Sequence, residues 1–146
     1  MIDKKHIGTR FPLHKGTAEA GQLRFFAKAT GETNPVYFDE AAAQAAGHPG
    51  LPVPPTFLFS MELSRPPSRW REDMGIELAR VLHGEQSFTY HRMAFAGDTL
   101  SFDCHISDIY DKKGGALDFL TRQTRVTNQR GEHVADLRSV LVQRNS

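Results

Sequence analysis

Several residues able to move a proton lie close together along this chain, and one such pair is a weak candidate for joint chemistry. His83 and Glu85 stand two positions apart. A strand repeats every two residues, so a strand at this point would carry both on one face. An imidazole beside a carboxylate can act as a general acid/base pair. Such a pair on a solvent or interface face is the commoner arrangement, and the signal is weak. His48 lies in the loop before an apolar helix, close in sequence to a candidate pocket mouth, and His83 and His91 flank the first long run of alternation. His6, His14, His105 and His133 show no partner pattern. No set of histidines and carboxylates has a recognised metal spacing, so neither a metal nor a cofactor is expected. Cys104 is the only cysteine, which excludes an internal disulfide and a cysteine-based zinc site. Arg65, Arg69 and Arg71 could meet phosphates through charge-assisted bonds, although a solvated charged loop is the more common use. Phe57, Phe59, Phe88, Phe95, Phe102 and Phe119 could line an apolar tunnel or simply fill a core.

These side chains must be placed by a small set of elements. Thr17 is positioned to cap a helix over residues 18–30, with Leu23, Phe26, Ala27 and Thr30 on one face and Gly31 as its stop. A turn centred on Asn34-Pro35 follows. Asp39 then opens a short alanine-rich helix over 40–46, closed by Gly47. Pro54 or Pro55 starts a further helix that runs to about Ser64, because proline suits a first helical turn. Phe57, Leu58, Phe59, Met61 and Leu63 make it apolar nearly all round, the mark of a buried helix. Residues 65–80 form a charged connection holding Trp70, the only tryptophan. Beyond it the period changes to two, in runs around Phe88, around Phe102, over 117–127 and over 134–144. Ala96-Gly97-Asp98, Lys113-Gly114-Gly115 and Gln129-Arg130-Gly131 separate these runs, which implies an antiparallel meander. The expected fold is α+β, a curved antiparallel sheet around a buried central helix.

The 146 residues suit one domain over 1–146. A net charge of +1 gives no broad field toward nucleic acid or membrane. The apolar stretch from Leu51 to Met61 is too short for a bilayer span and is broken by three prolines. The first ten residues hold no signal-peptide core, so a cytoplasmic protein is expected.

The segment FAKATGETNPVYFDEAAAQAAG resembles the opening of MaoC-like hydratases and dehydratases, where a helix ends in Gly-Asp-x-Asn-Pro-x-His. LPVPPTFLFSMEL is similar to the start of their central helix, and HGEQSFTYHRMAFAGDTLSF to the strands that follow, with Ala-Gly-Asp before the long strand. TRVTNQRGEHVADLRSVLVQR resembles their last hairpin. The resemblance spans nearly the whole chain. It implies a single hot-dog fold that acts on or binds 2-enoyl or 3-hydroxyacyl thioesters of coenzyme A or acyl carrier protein. The Pro-Pro-Thr-Phe and His-Gly-Glu-Gln wording points to the N-terminal-type half of two-hot-dog dehydratases, or to the free-standing non-catalytic subunit that corresponds to it. A homodimer, or a heterodimer with a homologous catalytic subunit, is therefore implied.

Hydration of a 2-enoyl thioester needs one group to activate water and one to handle the alpha proton. The developing enolate needs a hydrogen-bond donor. In the family the Asp and His of the opening segment supply the first two. Here Gly31, Asn34 and Pro35 match, but Glu32 stands at the Asp position and Tyr37 at the His position. A tyrosine ordinarily titrates near pH ~10, which makes it a poor proton shuttle. The resemblance places Asn34, Pro55, Thr56 and Phe57 at the substrate. Pro54 and Pro55 lack an N–H, so Thr56 or Phe57 offers the first amide for the enolate oxygen. The implied function is the substrate-binding half of a hydro-lyase whose partner carries the Asp/His pair. A self-sufficient hydratase using Glu32 or His83 with Glu85, a thioester-binding protein without chemistry, and a hot-dog thioesterase stand as alternatives.

Overall fold

The alternating runs pair into one five-stranded antiparallel sheet, and the computed structural model describes residues 1–145. Its strands are β1 (His14–Thr17), β2 (Val81–Tyr90), β3 (Thr99–Lys112), β4 (Leu117–Thr127) and β5 (His133–Arg144), in the order β1-β3-β4-β5-β2. The meander holds for β3, β4 and β5. It fails for β2, which pairs with β5 at the far edge rather than with β3. The link over 91–98 makes that crossing because it is tied to the segment before the central helix. Val53 N–H donates to the Ala94 carbonyl at 2.9 Å, and Ala96 N–H to the Leu51 carbonyl at 2.8 Å.

β1 is the strand that periodicity does not reveal. Its four residues, His-Lys-Gly-Thr, carry no apolar alternation, and pairing with β3 from His14↔Phe102 to Thr17↔Thr99 holds them extended. Thr17 therefore ends a strand instead of capping a helix. The first helix, α1 (Ala20–Ala29), starts after Glu19 with no side-chain cap. Asp39 does cap α2 (Glu40–Ala45), accepting from the Ala41 N–H at 2.9 Å. The central helix α3 (Phe57–Leu63) starts later than the prolines suggest. Pro54 to Thr56 form a turn in which the Phe57 N–H donates to the Pro54 carbonyl at 2.9 Å. A four-residue helix, α4 (Trp70–Asp73), interrupts the charged connection.

The inner face of α3 packs Phe57, Leu58 and Met61 against Leu23 of α1 and Leu100, Phe102, Val126 and Leu137 of the sheet. Phe102 is fully buried there, and truncating such a side chain to alanine costs about 3–5 kcal/mol. The outer face of α3 is less enclosed than its composition implies, with Leu63 exposed. A second cluster around Ile106, Ile109, Leu120 and Leu141 is closed by Met74 and Ile76, which gives the connection its structural purpose.

Candidate functional site

A cleft of about 340 Å³ opens between the turn after α1, the start of α3 and the β2–β3 link. Tyr37, Pro55, Leu58, Tyr90, His91 and Met93 are among its lining residues. A mostly apolar cavity with a few polar groups is the usual form of a small-molecule site. Tyr90 stacks on Phe88 with ring centroids 5.9 Å apart, and burial pushes its hydroxyl up to about 12. It stays a neutral phenol, able to donate a hydrogen bond but not to act as a base near neutrality.

The turn before the cleft is built by local hydrogen bonds. Gly31, at φ +77°, reverses the chain, and the Glu32 N–H returns to the Ala27 carbonyl at 2.9 Å. Asn34 Oδ1 then accepts from the Val36 N–H at 3.2 Å, capping a single 3₁₀ turn over Pro35–Tyr37. Arg24 Nε pins this turn to α1 through the Phe38 carbonyl at 2.8 Å. The turn aims Tyr37 at the cleft and turns Glu32 back on itself. Glu32 Oε1 accepts from the Thr33 N–H at 2.8 Å and the Asn34 N–H at 2.9 Å. Among the described residues no carboxylate lines the cleft.

At the start of α3, Pro55 lines the cleft, while Phe57 points into the core and meets the Phe26 ring at 5.1 Å. The Phe57 N–H is occupied by the Pro54 carbonyl, and among the described residues the Thr56 N–H meets no acceptor. Thr56 is thus the free donor of the pair.

Residues 5–137 match the family model described as the FAS1-like dehydratase domain region. The chain belongs to the FAS1-like dehydratase domain family. This family member is 37% identical to a UPF0336 protein of Streptomyces coelicolor, over 98% of this chain and 95% of the relative. It is 34% identical to a UPF0336 protein of Saccharopolyspora erythraea, over 99% of this chain and 93% of the relative. Among solved structures it resembles the C-terminally truncated HadBC (3R-hydroxyacyl-ACP dehydratase) complex from Mycobacterium tuberculosis, with TM-score 0.77 and 25% identity over 94% of this chain and 96% of that one. A MaoC-like dehydratase matches with TM-score 0.82 and 24% identity, over 97% of this chain but 43% of its own length. The ChsH1–ChsH2 complex from M. tuberculosis matches with TM-score 0.73 and 24% identity, over 92% and 88% of the two chains. The FAS1-like dehydratase chain therefore has the hot-dog fold of the MaoC-like proteins, and two of these structural neighbours, HadBC and ChsH1–ChsH2, are complexes.

The pair His83 and Glu85 does not form in this FAS1-like dehydratase domain. The β2–β5 register shifts between them, from His83↔Leu141 to Glu85↔Val140, leaving Gly84 as an extra residue. A bulge breaks the two-residue period on which the pairing rests. Gly84 is required there, since a Cβ would stand 2.7 Å from Val142 Cγ2. Glu85 bonds Arg138 at 2.7 Å, and His83 meets the Phe59 ring edge-on at 6.1 Å. The six phenylalanines build no tunnel. Phe102 and Phe57 are core, Phe119 stacks on Tyr110 at 4.9 Å, and Phe95 sits by His48 at 5.7 Å. Arg65 ties the Pro12 and Phe102 carbonyls at 2.8 and 3.1 Å, and Arg71 lies 4.8 Å over the Trp70 ring.

Sequence reasoning missed a cluster at the cleft's margin. His91 Nε2 lies 2.8 Å from Asp136 Oδ2, and His133 Nε2 lies 2.8 Å from Asp136 Oδ1. Burial alone would raise the Asp136 carboxyl, but the hydrogen bonds from His91 and His133 outweigh it and leave the group below its ordinary range. The three residues share no recognisable spacing, so no sequence signal marks them.

Proposed function

We propose that this chain is the thioester-binding half of a hydro-lyase acting on 2-enoyl or 3-hydroxyacyl thioesters of coenzyme A or acyl carrier protein. The acid/base pair comes from a homologous hot-dog partner. The observation that carries this reading is the commitment of Glu32 to the Thr33 and Asn34 amides. Those two bonds fold Glu32 back on its own turn, outside the residues that line the cleft, and Tyr37 in the cleft supplies a phenol where the family has an imidazole.

What this chain contributes is binding and polarisation. Val53, Leu58 and Met93 give the acyl chain an apolar wall. Tyr37 lines the same cavity, and the Thr56 N–H, which follows cleft-lining Pro55 and meets no acceptor among the described residues, is the donor proposed for the enolate oxygen. The partner is proposed to join along β2. Nine of that strand's ten residues pair with β5, on one side only, at the outer edge of the sheet. An open edge of this length is normally covered, and a second hot-dog would continue the sheet there. The reading places the protein in the cytoplasm with its carrier-bound substrates; no helix among the described residues is long and apolar enough to cross a membrane.

Calorimetric titration of the chain with crotonyl-CoA and with a longer saturated acyl-CoA tests this reading. Saturable binding is expected, and it is expected to weaken in Met93→Glu, a change at a half-exposed position on the cleft wall. Absence of binding to either thioester, or binding indifferent to Met93→Glu, would overturn it.

A further inference from the structure

We propose that His91, His133 and Asp136 form a binding site for a divalent first-row transition-metal ion of the zinc type, held by two imidazole nitrogens and one carboxylate. The ligating atoms of the three residues all lie within 4.8 Å of one another. Both imidazoles present the same nitrogen, Nε2, to the same carboxylate, and their ring centroids are 4.1 Å apart. Zinc lies about 2.0–2.2 Å from such atoms, which sets them about 3.3 Å apart in a tetrahedron. The two 2.8 Å contacts go to different oxygens of Asp136, so an ion held by all three residues needs these contacts to open by about half an ångström and the ligand atoms, now within 4.8 Å, to settle near 3.3 Å from one another. Two nitrogen donors favour zinc-like ions over calcium or magnesium, which prefer oxygen.

A bulge brings these residues together. In a regular strand positions 133 and 136 would face opposite sides. The β4–β5 register runs from Val126↔Ala135 to Thr127↔His133, so Val134 is an extra residue. Val134 turns into the core, and the shift in parity brings His133 round to the side of Asp136. The Val134 carbonyl then accepts from the His91 and Arg92 N–H groups at 2.9 and 3.1 Å, which fastens the third ligand's backbone to the same bulge. His133 and Asp136 stand on β5, and His91 is the first residue after β2, so the sheet holds all three in place.

Charge and access fit as well. Glu132 holds the two nearby guanidiniums, Arg130 at 2.9 Å and Arg92 at 3.6 Å, so they are drawn to a carboxylate other than Asp136. The His91, His133 and Asp136 side chains are 40%, 24% and 48% exposed, which lets an ion enter and leaves outer coordination positions to solvent. Ligation needs unprotonated nitrogens and an ionised carboxylate, so metal binding releases protons and weakens in acid. The inference does not depend on what the cleft binds.

Titration of the untagged chain with Co²⁺, followed by visible d–d absorption, tests the site. The band is expected to saturate at one ion per chain and to be displaced by Zn²⁺. His91→Ala and His133→Ala are each expected to weaken binding by about tenfold or more, since even outer-shell changes cost about 10–100-fold. The His48→Ala/His83→Ala double variant is expected to bind as the unmodified chain does. Circular dichroism checks that the variants are folded, and His133→Gln, which keeps the size of the side chain, replaces His133→Ala if needed. No saturable band, a band that survives loss of both His91 and His133, or a loss that follows His48 and His83 instead, would overturn the proposal.

Discussion

The turn at residues 31–37 and the β5 bulge around Val134 handle their reactive groups in opposite ways. In the turn, Glu32 and Tyr37 are close in sequence, yet the backbone separates them. One carboxylate oxygen of Glu32 is taken by two amides of its own turn, and Tyr37 faces the cleft. At the bulge, His91 and Asp136 are 45 positions apart in sequence, yet their side chains meet at 2.8 Å. The difference shows that nearness along the chain is a poor guide to chemistry where a turn's own amides compete for the acceptor. Register, set by one extra residue in a strand, decides the other case.

The sharpest way to break the comparison is to loosen the turn. Asn34→Ala removes the acceptor for the Val36 N–H and is expected to cost about 1 kcal/mol, as loss of a cap does. Urea denaturation reads that cost. If the turn is what aims Tyr37, the same variant also binds acyl-CoA more weakly; unchanged stability and unchanged binding would show that the turn is held by other contacts.

A smaller effect is expected at the bulge, where it is visible in pH dependence. The Asp136 carboxyl lies below its ordinary value of 3.8 in the folded chain. A depressed carboxyl stabilises the fold above its unfolded value, and that contribution is lost as pH falls through the folded value. Asp136→Asn removes this dependence, so the unfolding free energies of the two proteins are expected to converge as pH drops below 3.8. The group is half exposed, so the difference is modest. A gap between the two proteins that stays constant into strong acid would mean that the imidazoles do not hold the carboxylate.

Much of the fold is legible in the sequence. Period-two patterning from Phe88 onward marks the sheet, and the apolar run from Phe57 marks the central helix. β1 is not legible, because His14 to Thr17 carry no alternation and are extended only through pairing with β3. The edge position of β2 is hidden too, since it follows from backbone bonds of the 91–98 link to Leu51 and Val53. At the site, the motif locates the turn, and Pro55 and Tyr37 do reach one cleft. Two bulges defeat the rest. Gly84 separates His83 from Glu85, and Val134 joins His133 to Asp136. Neither can be read from a two-residue period, because each is a break in it.

The central claim is that this hot-dog chain binds an enoyl thioester without turning it over. Spectrophotometric hydration of crotonyl-CoA and of a longer 2-enoyl-CoA by the purified chain alone tests it most directly. The account predicts no turnover above background, with no change on Glu32→Gln. Robust turnover by the chain alone, abolished by Glu32→Gln, would contradict it and make Glu32 the base of a self-sufficient hydratase.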